Sequence, residues 1–118
     1  MSGIQVKTFD TPDETRTPPK TTVEVLQLGD TEVARLTFQP GWKWSECIKP
    51  VVGTESCQVD HVGLMQAGRL LVVHEDGTRV ECSRGDVYRI TPGHDAWVEG
   101  DEAVVAYEFK SAHEYARG

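Results

Sequence analysis

The sequence predicts an all-β sandwich or barrel. Three observations predict it. Apolar and polar residues alternate with period two through most of the chain. Turn residues recur roughly every eight to twelve positions. No segment carries a convincing helical period. Eleven glycines and six prolines are spread along 118 residues, as many short elements and tight turns require. At this length the chain, 1–118, is one domain around one core.

The elements follow in order. Residues 4–9 alternate as a short strand. Residues 10–20 hold three prolines and three threonines and are expected to cross the surface as irregular chain. Residues 21–28 alternate, Gly29-Asp30 turns, and residues 32–38 return, so this region reads as a hairpin. These first forty residues form an arm and a hairpin. Gln39-Pro40-Gly41 turns again. Residues 42–48 are rich in aromatics and are expected to extend as a strand, broken by residues 50–53.

Residues 55–68 read as the next strand. The apolar residues 70–74 follow, and Asp76-Gly77 is a strong hairpin signal before residues 79–82. Residues 87–90, 94–99 and 103–110 complete about ten short strands. The tail, 111–118, is left as a helical turn or unordered chain.

Charge and composition exclude several classes. The formal charge is −7, which opposes sequence-independent nucleic-acid binding. No apolar run is long enough to span a bilayer as a helix, and no basic-then-apolar leader opens the chain, so no membrane partner is expected. Three cysteines, an odd number, give no disulfide framework and fit a reducing cytoplasm. Paired carboxylates for glycoside chemistry, a phosphate-cradling loop and a serine nucleophile elbow are absent.

Chemistry concentrates in residues 55–68. If they extend, Glu55, Cys57, Val59, His61, Gly63 and Met65 share one face. That face offers a carboxylate, a thiol and an imidazole at short spacing. Thiolate and imidazole suit zinc and other borderline-soft divalent ions. Each residue also has an ordinary structural role. Cys57 can be a small buried hydrophobe. His61 can be a core histidine bonded to backbone. His94, after Pro92-Gly93, can be a ligand, an acid/base or a surface histidine beside a turn. Cys82, next to a turn, reads as a surface thiol.

This pattern resembles the cupin superfamily, whose members are small jelly-roll barrels with an internal metal or ligand site. The family's first motif has two histidines separated by one residue, then a Glu, then a closing Gly. Gly68 takes the place of the closing Gly, and His61 takes the place of the Glu. Cys57 and Glu55 take the places of the two histidines, and Lys49 stands at the opening Gly. In the second motif Gly85 and Gly93 match, while Thr91 stands for Pro and Ala96 for His. His94 lies two residues before Ala96. The resemblance covers residues 41–109. The runs Pro40 to Glu46 and Pro92 to Trp97 look like those of small single-domain bacterial cupins with no assigned reaction.

The resemblance implies a cupin jelly-roll barrel with a divergent metal motif. It implies a divalent ion (zinc, iron, manganese or nickel) held by Cys57, His61 and His94, with Glu55 or water completing the shell. A substrate pocket is expected among Trp42, Trp44, Glu46, Met65 and Trp97. Two readings stand. One is a metal-dependent enzyme of isomerase, lyase or dioxygenase type acting on a small molecule. The other is a non-catalytic ligand-binding or sensory module. A homodimer is expected from the tryptophans and the proline-rich arm.

Overall fold

The computed structural model describes residues 3–110. The strands are β1 (Glu14–Arg16), β2 (Thr21–Leu28), β3 (Thr31–Phe38), β4 (His61–Ala67), β5 (Arg69–His74), β6 (Arg79–Ser83), β7 (Val87–Ile90), β8 (His94–Val98) and β9 (Val104–Lys110). Two one-turn helices, α1 (Trp44–Cys47) and α2 (Lys49–Val52), lie between β3 and β4. One sheet runs β1-β2-β3-β9-β4-β7 and the other β6-β5-β8. Their inner faces enclose the core, so the chain is an all-β jelly-roll sandwich. Among the described residues, no helix is long and apolar enough to cross a membrane.

The alternation in the sequence sets which residues point inward. On β2, Val23 and Val25 are buried; on β3, Ala34, Leu36 and Phe38; on β9, Val104, Ala106 and Glu108. Phe38 stacks on Trp42 at 3.9 Å between ring centroids. Burying an aromatic side chain of this size contributes about 1.5–3 kcal/mol, with up to about 1.5 kcal/mol more from ring contact. The Trp42 indole donates to Thr21 Oγ1 at 2.9 Å, which satisfies its buried polar end.

Four expectations need correction. Residues 4–9 form no strand; the first strand is β1, inside the stretch read as irregular. Phe9 instead lies against Tyr107, with the Arg35 guanidinium over its ring, so the arm is tied down by side chains. Residues 42–48 do not extend. Lys43 bridges to Trp97, and the chain then winds into α1. Pro50 fits the first turn of α2, where its missing N–H has no role, and Gly53 ends that helix at φ 78°. Residues 55–68 are a strand only from His61 onward. Before it, Cys57 touches the sheet through a single bridge to His94. Cys82 is buried, not a surface thiol, and burial pushes its thiol pKa up. The tail, 111–118, lies outside the described residues.

Candidate metal centre

Three buried side chains converge at one end of the core: Cys57, His61 and His94. Their potential ligand atoms all lie within 4.8 Å of one another. His61 opens β4 and His94 opens β8, one from each sheet. Cys57 comes from the loop between α2 and β4. Its backbone is clamped to the start of β8: Cys57 N–H donates to the His94 carbonyl at 2.7 Å, and Gly93 N–H donates back to the Cys57 carbonyl at 2.7 Å.

Each imidazole is held through its Nδ1, which fixes the orientation of the ring at the site. His61 Nδ1–H donates to Glu108 Oε1 at 2.7 Å. His94 Nδ1–H donates to the Thr91 carbonyl at 2.8 Å. His61 Nε2 then faces Cys57 Sγ at 3.5 Å. Glu108 is itself fixed, because Tyr88 Oη donates to its other oxygen at 2.5 Å. A carboxylate that orients a histidine in this way fixes its tautomer and strengthens the opposite nitrogen as a ligand.

Gly63 makes the arrangement possible. A side chain there would meet the Tyr107 carbonyl at 2.6 Å, Tyr88 Oη at 2.7 Å and Glu108 Cγ at 2.9 Å. The missing Cβ leaves room for the Tyr88–Glu108 pair beside His61. A glycine on the inward face of a strand marks such a close approach.

The charges at this site are coupled. Burial alone would raise the Cys57 pKa, but hydrogen bonds from His61 and His94 outweigh it and lower it to about 6. Burial alone would lower the His61 pKa, but the Glu108 charge and the Cys57 hydrogen bond raise it to about 10. Both shifts favour a thiolate beside an imidazolium when no metal is bound.

The other expected site residues fall elsewhere. Glu55 is not in the cluster. Its side chain is 95% exposed and pairs with Lys49 Nζ at 3.0 Å. Glu46 is exposed on α1. Met65 is buried core. Trp97 points out of the barrel, donates to Glu99 and lies under Lys43 and Arg79. Trp42 and Trp44 do line the chamber beside the histidines, but it measures only about 20 Å³. That is room for one water-sized occupant. The aromatic side chains fill most of the space they were expected to enclose, and Glu46, Met65 and Trp97 do not line it.

A larger cavity of about 430 Å³ opens between the edges β6 and β7. Val72, Val80, Cys82 and Ile90 give it an apolar lining, and Asp76 and Asp86 stand among its polar groups. Tyr88 and Ile90 line both this groove and the small chamber. The sequence reading missed Glu108, Tyr88 and this groove.

The chain resembles solved structures over most of its length. It superposes on a protein of unknown function from Rhizobium leguminosarum with a TM-score of 0.65, at 21% identity, covering 92% of this chain and 98% of that one. It superposes on a Cupin 2 conserved barrel domain protein from Salinispora arenicola with a TM-score of 0.63, at 18% identity, covering 91% and 87%. A cupin-like protein from Thermotoga maritima gives a TM-score of 0.54 at 18% identity, covering 78% and 68%. No protein-family model matches the chain, and no curated protein does. The chain has the cupin fold. At these identities the likeness carries the fold and no activity.

Proposed function

We propose that this chain is a metal-dependent cupin acting on a small organic molecule. One observation carries the reading: three buried donors converge, their ligand atoms all within 4.8 Å of one another, with each imidazole oriented through its Nδ1. One thiolate and two imidazoles fit zinc, iron or nickel better than manganese. Three protein ligands with a further position open is the pattern of catalytic rather than structural sites. A divalent ion bound there supplies Lewis acidity at that open position.

The chain's own groups have separable tasks. Glu108 keeps the proton on His61 Nδ1, and Tyr88 keeps Glu108 in place. Leu36, Phe38 and Leu70 exclude bulk water from the chamber. The groove between β6 and β7 is the space large enough for the small molecule, and it adjoins the centre where Tyr88 and Ile90 line both spaces. Its volume is within the usual range for small-ligand sites. The reaction is of isomerase, lyase or dioxygenase type.

Metal analysis after loading with zinc, iron, manganese or nickel tests the proposal. One equivalent per chain is expected for at least one of these ions. Wild-type protein that binds none would remove the mechanism.

A second reading, a non-catalytic binding module, is favoured by the small size of the chamber, about 20 Å³. Groove ligands that bind equally with and without metal would select it.

We further propose a cytoplasmic homodimer. The tryptophans do not argue for it, since two are buried. The outer face of the large sheet does. Val87, Leu64 and Tyr107 lie in one cross-strand row, with Val87 76% exposed and Phe109 55% exposed nearby. Only monomer in sedimentation at micromolar concentration would count against it.

A further inference from the structure

Trp44 is 2% exposed, yet its indole Nε1–H is buried with no hydrogen-bond partner in the protein. The other two indoles are satisfied, by Thr21 and by Glu99. A buried donor left unpaired carries its full desolvation penalty, and native proteins rarely leave one so unless an unseen water or ion completes it.

Trp44 lines the 20 Å³ chamber together with His61, His94 and Glu108. The neighbouring acceptors are already engaged. Glu108 Oε1 takes the His61 proton and Oε2 takes the Tyr88 proton. His94 Nδ1 is turned away to Thr91. The chamber has room for one further small atom group. We infer that Trp44 is the hydrogen-bond donor to a small acceptor ligand held in this chamber at the metal's open position. The ligand class is water or a compact anion with a lone pair to offer. A ligand whose only remaining groups are donors, such as bound ammonia, is disfavoured. The inference rests on the metal reading above.

The test uses protein with isotope-labelled indole nitrogens, which gives three indole N–H resonances in NMR. Fluoride is the probe, because it is a strong acceptor of the right size. In the zinc-loaded protein, fluoride is expected to move the Trp44 resonance downfield and leave Trp42 and Trp97 in place. In metal-free protein the same fluoride moves nothing. Trp44→Phe assigns the resonance and is expected to weaken fluoride binding about tenfold, the weight of one charge-assisted hydrogen bond, with zinc retained. If that variant does not fold, Trp97→Phe and Thr21→Val assign the other two resonances by elimination. A Trp44 resonance that stays still at saturating fluoride overturns the inference. So does zinc protein that takes up no fluoride, or a Trp44→Phe variant that binds it as wild type does. Failure to bind zinc overturns this inference, and failure to bind any of zinc, iron, manganese or nickel overturns the metal reading with it.

Discussion

Glu108 Oε1 accepts the His61 Nδ1 proton at 2.7 Å, and both side chains are almost fully buried. The two residues come from adjacent strands of the large sheet, β9 and β4. A buried carboxylate next to a buried imidazole fixes which nitrogen of His61 faces Cys57. Glu108→Gln keeps the shape but removes the charge and leaves Tyr88 Oη facing an amide. Metal affinity is expected to fall about tenfold to a hundredfold while the fold is retained. Competition with a chelator measures the affinity, and circular dichroism checks the fold. An affinity within twofold of wild type would deny Glu108 its orienting role.

The three donors are expected to differ from Glu55 in kind. His61→Ala removes a ligand but no backbone ladder bond, so the barrel should fold and hold no stoichiometric metal. Cys57→Ser should weaken zinc more than manganese, because hydroxyl replaces thiolate poorly for the softer ion. Glu55→Gln should change nothing, since that side chain faces solvent. Elemental analysis of the three purified variants separates these outcomes. Full metal in His61→Ala would end the assignment.

The thiolate and imidazolium make the metal-free protein respond to pH in a defined direction. The Cys57 value lies below its unfolded 9.0, so its stabilising contribution is full above that value and lost as pH falls through about 6. The His61 value lies above its unfolded 6.5, so its contribution is full below that value and lost as pH rises through about 10. Ultraviolet thiolate absorbance should therefore persist to near pH 6 in metal-free protein and vanish below it. A midpoint in the ordinary thiol range would show that the imidazoles do not support the thiolate.

Gly63→Ala should destabilise the fold by about 1–3 kcal/mol, the usual cost of overpacking. The added methyl must displace backbone or the Tyr88–Glu108 pair. Denaturant unfolding gives the stability, and metal affinity should fall in the same variant. Unchanged stability would mean that the strands part here more readily than their packing implies.

The strands were legible where two signals agreed. Residues 21–38 carry both alternation and a turn, and β2 and β3 form there as expected. Residues 42–48 misled because Trp42 and Trp44 are spaced like inward strand positions. A chain that winds after Lys43 buries both just as well. Cys57 and His61 were paired by strand spacing. They do meet, but through a loop bridged to His94 rather than a continuous strand. Glu108 was hidden because β9 is apolar on both faces: Val104 and Ala106 inward, Val105, Tyr107 and Phe109 outward. Nothing local says which face is the core, so its one acidic residue carried no direction. Gly63 was the available clue, an unexplained glycine on the histidine's own face.

Cys57 and His94 are joined by main-chain bonds, so the distance between those two positions does not depend on what their side chains are. The peptide backbone determines where each donor side chain starts, and the side chain determines which atom reaches the centre and how far. Ion preference should therefore be retunable at this position with the bridge kept: Cys57→Ser, which exchanges sulfur for oxygen at nearly the same size, is the natural first exchange.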